Sequence, residues 1–350
     1  MERGTLVVRA DAGLKMGTGH VMRCLALAQA WRRGGCGAVF AMAESTPAMD
    51  GLLRSQGITV TRIEGEPGGS EDASHTLAIA RAFGADWLVV DGYQFDAEYQ
   101  RRMQSLRPVL AVDDNGPLDY YSAELVLNQN AHACPEMYAR VSPNTQLLLG
   151  PRFALLRDEF AAYRKWARTI PERGSRLLLT LGGSDAANFA PRILPFLAKL
   201  PTEDLQIRIV VGGSAENCGV VDAIAEKCAR RVEVLRDVKN MADMMAWADL
   251  AISAAGTTSW EMCGMGLPAI LVVVAENQKF IAEHLAVLGA VENAGCADRA
   301  DCAALAELCG RLLVDKSRRA GMSQRARLVV DGRGRERVLS MMKRGDEMCA

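Results

Sequence analysis

Four histidines occur in the 350 residues, and one of them, His20, follows three glycines in RADAGLKMGTGHVMRC (9–24), directly behind the first strand pattern. A neutral imidazole takes up a proton near pH 7, so a histidine at the mouth of a helix can act as a general base. It can equally spend its nitrogens on nearby backbone groups. His75 and His284 read as helix-surface positions, and His132, in NQNAH, is open to either reading. Two further loops have a composition that cradles phosphate: LGGSDAAN, with Gly182, Gly183, Ser184, Asp185 and Asn188, and SAAGTTSWE, from Ser253 to Glu261. Glycine lets backbone N–H groups approach an anion, and the helix that follows adds the positive end of its dipole. Strand-to-helix turns also use Gly and Ser for structural reasons alone, so the weight lies in finding three such loops together. The first runs G-x3-G-x-G-H, which is neither the dinucleotide nor the Walker A spacing and disfavours NAD and ATP.

The elements that must hold these loops alternate along the chain. TLVVRA (5–10) reads as a strand and residues 19–33 as a helix with Val21, Cys24, Leu25, Ala28 and Trp31 on one face. AVFAMA (38–43), ITVTRI (58–63), WLVVD (87–91), VLAVDD (109–114), LVLNQN (125–130) and LLLG (147–150) are further strands, with helices near 47–56, 74–84 and 96–105. GPRFALLRDEFAAYRKWAR (150–168) reads as a crossing segment and helix. The pattern then restarts with RLLLTLGGSD (176–185), IRIVVGGS (207–214), VEVLRDV (232–238), DLAISAAG (249–256) and AILVVVAENQ (269–278), and an Arg-rich helical stretch closes it over about 317–344. Alternating strands and helices predict parallel, doubly wound sheets whose ligands bind beyond the carboxyl ends of the strands. The expected organisation is α/β with two Rossmann-like domains facing a cleft, the GT-B architecture. Residues 1–150 form the first domain, 151–175 a crossing segment, 176–330 the second domain and 331–350 a C-terminal helix or tail.

Composition narrows the classes. Hydrophobic residues make up 49% of the chain and the net charge is −1, which suits two packed cores and argues against a nucleic-acid platform. The N-terminal residues show no signal-peptide pattern, and no apolar run approaches the roughly 20 residues of a membrane span. Ten cysteines are scattered without a CxxC pair or a zinc-spaced cluster. A cytoplasmic, monomeric protein without metal or cofactor is expected, with no stable insertion in a membrane.

The motifs RADAGLKMGTGHVMRCLALA, VVDGY, VDD, LNQN, LLGPRFALLRDEF, LLLTLGGSD and AAGTTSWEMCGMGLPAILVVVAENQ, in that order, resemble the UDP-2,4-diacetamido-2,4,6-trideoxy-β-L-altropyranose hydrolases of pseudaminic acid biosynthesis. The resemblance covers about residues 5–290. The same superfamily includes the UDP-GlcNAc transferase that makes lipid II, and the short GTGH followed by VMR is the hydrolase-like form of the loop. The resemblance implies hydrolysis of a UDP-linked diacetamido-trideoxy sugar, with His20 as the general base that activates water. It implies backbone N–H groups of Gly182, Gly183 and Ser184 on the departing UDP, with Asn188 beside them. Glu261, seven residues after the strand ending at Ala254, would accept from the ribose hydroxyls, and Asn277 and Gln278 would bind sugar or diphosphate oxygens. Asp11, Tyr93, Asp113, Asp114 and Asn128 lie at strand ends on the sugar side, while Gly17 and Gly19 allow backbone approach at the reacting centre. Asp113 and Asp114 could instead cap a turn, since DDNG is turn chemistry. Arg9 and Arg23 could pair with these carboxylates and are assigned no part in the reaction. A transferase of the same fold, or a binding module for nucleotide sugars, is the alternative.

Overall fold

A computed structural model describes residues 4–348 except 14–16, 117, 183, 184, 186, 203, 213–217, 229, 230 and 237. The chain forms two compact units. One comprises the residues up to Asp158 together with those from Gly332 onward, and the other comprises Glu159–Asp331.

In the first unit β1 (Thr5–Ala10), α1 (Gly19–Arg33), β2 (Gly37–Met42), α2 (Pro47–Ser55), β3 (Thr59–Arg62), α3 (Ser70–Ala82), β4 (Ala85–Asp91), α4 (Ala97–Gln104), β5 (Val109–Val112), β6 (Leu125–Asn128) and β7 (Gln146–Leu149) follow one another. The strands form a seven-stranded parallel sheet in the order β3-β2-β1-β4-β5-β6-β7. Leu6, Val7, Val8 and Ala10 of β1 are all fully buried because helices cover both faces, which explains why the strands read as continuous apolar runs. α1 is buried around most of its girth.

After the short helix α5 (Asp158–Ala161), the second unit runs β8 (Arg176–Thr180), α6 (Phe189–Leu197), β9 (Gln206–Val211), α7 (Cys218–Lys227), β10 (Arg231–Arg236), α8 (Met241–Trp247), β11 (Leu250–Ala254), α9 (Thr258–Met265), β12 (Ala269–Val273), α10 (Lys279–Val287), β13 (Glu292–Cys296), α11 (Cys302–Val314) and α12 (Lys316–Val329). Its six parallel strands take the order β10-β9-β8-β11-β12-β13. The last helix, α13 (Gly334–Met348), belongs to the first unit and packs on α1, burying Val338 and Met342 completely. Each fully buried side chain of that size contributes roughly 1.5–3 kcal/mol.

Two expectations are corrected. The helix expected within 150–168 is reduced to a 3-10 turn at Pro151–Phe153 and the single turn of α5. Side chains of this stretch engage the second unit instead: the Glu159 carboxylate accepts from Met241 N, Tyr163 donates to Asp243, and Arg168 donates to the carbonyls of Met245, Ala248 and Met265. The Arg-rich stretch is two helices, α12 and α13, broken around Gly332 at φ +72°. β13, ENAGC, is a strand without an apolar run and only partly covered, so no strand pattern marks it in the sequence.

In both sheets the order reverses beside the first strand, between β1 and β4 and between β8 and β11. Loops leaving adjacent strands diverge at such a point and leave room for a ligand.

Candidate active site and nucleotide-binding loops

The reversal point of the first sheet brings His20 and Asp91 together. Asp91 is the last residue of β4 and lies level with Ala10, the last of β1. After β1, Gly13 and Gly17 exchange backbone hydrogen bonds of 3.2 and 2.8 Å, with Gly17 at φ +78°. α1 starts at Gly19 and aims His20, in its first turn, at the end of β4. His20 Nδ1 stands 2.6 Å from Asp91 Oδ1.

Burial by itself would raise the Asp91 carboxyl, but the positive charge of Arg23 and the His20 contact outweigh it and hold the acid well below the carboxylate range. Asp91 is therefore an acceptor. Two acceptors do not approach to 2.6 Å without a proton between them, so geometry assigns that proton to Nδ1, and a neutral ring then has its lone pair on Nε2. Arg23, three residues along α1, grips the same carboxylate with two bonds, Nε to Oδ2 and Nη2 to Oδ1, each 2.6 Å. Its third nitrogen, Nη1, donates to Asp114 Oδ1 at 2.6 Å. Cys24 Sγ adds a fourth donor to Asp91 at 3.3 Å. Tyr93 closes the circuit: its hydroxyl donates to Asp114 Oδ2 at 3.0 Å, and its ring meets His20 edge-on at 5.2 Å. Tyr93 is 45% exposed, the one open member of the ring of residues. A cavity at the ends of β4 and β5 is bordered by His20, Arg23, Gly92, Tyr93, Asp113 and Tyr121.

Around this core, several anticipated residues turn their polar atoms into the fold. Asp11 is buried and accepts from Arg9 at 2.6 Å, from Ala43 N and Glu44 N, and from Gln94. Asn128 is buried too, donating to the Asp114 carbonyl and meeting Tyr138 Oη, each at 2.8 Å, while its Oδ1 accepts from Asn130 N. Both hold loops in place through these bonds. Asp113 is the turn cap that DDNG allowed, accepting from Gly116 N and Tyr138 Oη; burial pushes its carboxyl up. Asp114 takes the other course and joins the Arg23 cluster, with Asn130 donating to it at 2.9 Å. His132, left open by the sequence, approaches the Asp114 carbonyl with Nε2 at 3.0 Å. His75, on α3, approaches the Glu64 carbonyl of the preceding loop, and His284, on α10, the Phe280 carbonyl of its own helix.

In the second unit the loops after β8 and β11 flank its reversal point. Gly183 and Ser184 lie outside the described residues. Gly182 is exposed at φ +83°, while Asp185 and Asn188 take left-handed backbone angles that are costly for residues with a side chain. The Asp185 carboxylate accepts from Phe189 N and Ala190 N, so the N-terminus of α6 already holds an internal anion. The N-terminus of α9 has no side-chain cap, and the N–H groups at the end of an uncapped helix are natural donors to phosphate. Glu261 occupies the first turn of α9 and is half-buried. Gln278 folds back so that its Oε1 accepts from Val274 N, with its Nε2 3.6 Å from the point a side chain on Gly256 would occupy; Asn277 beside it is exposed.

Asp91 and Arg23 carry the site, yet the sequence reading gave neither a role. The available signal was the end of VVDGY: an acid closing a buried strand that pairs with the strand leading into the glycine–histidine loop. Among the described residues no group of three metal-binding side chains occurs.

Fold and site together define a two-unit parallel α/β protein of GT-B architecture. Residues 177–327 match the family described as Glycosyltransferase family 28 C-terminal domain. Over 95% of this chain and 96% of its own length, the spore coat polysaccharide biosynthesis protein SpsG of Bacillus subtilis is 24% identical. A UDP-N-acetylglucosamine–N-acetylmuramyl-(pentapeptide) pyrophosphoryl-undecaprenol N-acetylglucosamine transferase of Mannheimia succiniciproducens is 28% identical over 47% of each chain. The chain spans about half the length or less of several curated relatives that it matches. The crystal structure of MurG from Acinetobacter baumannii superposes with a TM-score of 0.67 at 18% identity, covering 98% of this chain and 99% of that one. No described helix is long and apolar enough to cross a membrane.

Proposed function

We propose that this chain is a nucleotide-sugar enzyme that breaks the bond between an anomeric carbon and a UDP oxygen and passes the sugar to a hydroxyl deprotonated by His20. The carrying observation is the His20–Asp91 pair, Nδ1 2.6 Å from Oδ1, at the reversal point of the first sheet; in the neutral ring this contact puts the lone pair on Nε2. In this reading the acceptor hydroxyl donates to Nε2. As its oxygen attacks, the proton moves to Nε2 and Asp91 stabilises the imidazolium. General-base help of this kind contributes about 10²–10⁴-fold. The second unit takes the nucleotide: N–H groups at the start of α9 and around Gly182 receive the charge that develops on UDP, and Glu261 holds the ribose. The family 28 match over the second unit supports a glycosyl transferase over a simple binder.

A second reading has water as the acceptor. It is favoured by the first loop, GTGH followed by VMR, in the form that resembles the sugar-nucleotide hydrolases. One experiment separates the readings. Purified protein is incubated with UDP-N-acetylglucosamine or UDP-2,4-diacetamido-2,4,6-trideoxy-β-L-altropyranose, and UDP and the sugar anomer are followed by NMR. Release of UDP without an acceptor identifies hydrolysis, and release only after a hydroxyl acceptor is added identifies transfer. Absence of both turnover and UDP binding refutes the nucleotide-sugar assignment.

A further inference from the structure

We infer that Arg23 is the positioning residue that stops the His20–Asp91 pair from trapping the proton it must pass on. The inference rests on the proposal that His20 is the base. An imidazole beside a buried carboxylate is pulled toward the charged imidazolium, and a base already protonated cannot accept. The structure places a counterweight against that pull. Arg23 forks onto both oxygens of Asp91 and also binds Asp114, so one cation offsets the two carboxylates nearest the ring. Its Nη2 lies 3.2 Å from His20 Nδ1. Because Nδ1 already carries hydrogen, this is a contact between two donors, and protonating the ring would bring a second cation against the guanidinium.

The surroundings leave this task to Arg23. From α1, His20 is faced by Arg23 and, through Asp91, by the Cys24 thiol. From β4 and its following loop it is faced by Asp91 and Tyr93. From the loop after β5 come Asp114 and, across the cavity, Asp113; His132 approaches this loop at the Asp114 carbonyl. Arg23 is the one permanently charged cation among these groups. Without it, two ionised and buried carboxylates would bias His20 toward the imidazolium.

The test needs no substrate. With four histidines in the chain, ¹⁵N-histidine labelling resolves the His20 ring, and a His20→Asn variant assigns it. In Arg23→Gln the ring should stay doubly protonated to a pH at least about one unit higher than in the wild type, as expected when a charge within a few ångströms is removed. Arg23→Lys should bring it part of the way back. An unchanged protonation range in Arg23→Gln overturns the inference. If that variant does not fold, Asp91→Asn supplies the converse: Arg23 is then less balanced and the ring should lose its proton about one pH unit earlier. No change there overturns the inference equally. In turnover the acid limb of the pH profile for Arg23→Gln should rise by the same interval, with kcat recovering at alkaline pH. A merely structural residue would lower kcat at every pH. A shift in the NMR titration in a protein whose wild type turns over no UDP-sugar would uphold the electrostatic role and refute the base.

Discussion

Replacing Asp91 by Asn keeps the shape of the side chain and removes its charge, which makes it the sharpest probe of the first unit. The carboxylate is wholly buried and takes four donors: His20 Nδ1 and Arg23 Nη2 on Oδ1, Arg23 Nε and Cys24 Sγ on Oδ2. An amide has one oxygen, so whichever way Asn sits, its NH₂ meets two donors. Facing the ring, it forces Nδ1 to become an acceptor and drives the ring proton to Nε2, which blocks the base. Facing Arg23 Nε, it leaves the tautomer intact but removes a contact that, as a hydrogen bond to a charged group, carries about 1.5–3 kcal/mol. In either case the guanidinium loses one of two counter-charges. Breaking one side of a buried pair costs about 3–5 kcal/mol, and that is the expected fall in unfolding free energy by urea titration followed by circular dichroism. In the UDP-release assay kcat should fall about 10²–10⁴-fold while UDP affinity stays near wild type. A variant that loses the expected stability but turns over within about threefold of wild type would refute the role of the pair in catalysis. One that loses neither would refute the buried network itself.

Other predictions concern the scaffold. Asp72 receives Arg9 through Nε and Nη2, Tyr99 Oη at 2.7 Å and Gly68 N at 2.9 Å, and Arg9 is fully buried; Asp72→Ala should lower the unfolding free energy by about 3–5 kcal/mol, and a loss below about 1 would show the pair to be dispensable. Burial opposes ionisation of Asp72, Asp91 and Asp114, but Arg9 and Arg23 outweigh it and hold all three below their ordinary values. Carboxylates of the unfolded chain titrate near about 4, so this stabilisation is complete above that pH and fades as pH falls through the folded-state values. Urea midpoints measured from pH 7 down to 3 should therefore drop below about 4, and a flat series would contradict the sign. Gly266 ends α9 at φ +57°, and a side chain there would start 2.8 Å from Arg327 Nε and 2.9 Å from Ser323 Oγ. Gly266→Ala should cost about 1–3 kcal/mol, read as a lower Tm, and an unchanged Tm would mean that α12 yields freely.

Much of the scaffold was legible because parallel strands covered on both faces announce themselves as apolar runs, as LVV of β1 and LAI of β11 do. β13 was illegible for the complementary reason: Glu292 and Asn293 pair through backbone alone, with no buried side chains to mark them. In the site, His20 stood out through its glycines. Asp91 did not, because an acid at a strand end is equally ordinary as a turn residue, and only the register of β4 against β1 shows that it meets His20. Asp11 shows the converse: its position at a strand end suggests a ligand contact, and the fold adds what the sequence does not show, that Arg9, Ala43 and Glu44 donate to its carboxylate. Ala43 and Glu44 lie 32 and 33 residues from Asp11, so packing brings them to it and leaves no local pattern.

The return of α13 to the first unit bears on how the protein is made. Val338 and Met342 complete a core whose other members lie almost entirely before residue 156, so that core stays open while the intervening residues of the second unit are translated. The second unit, being contiguous, can close as soon as it leaves the ribosome, whereas the earlier-made unit must wait with the seat of α13 on α1 uncovered. Chain termination before residue 334 would therefore injure the part of the protein synthesised first, and the nascent chain would offer chaperones an apolar surface on α1 for most of its synthesis.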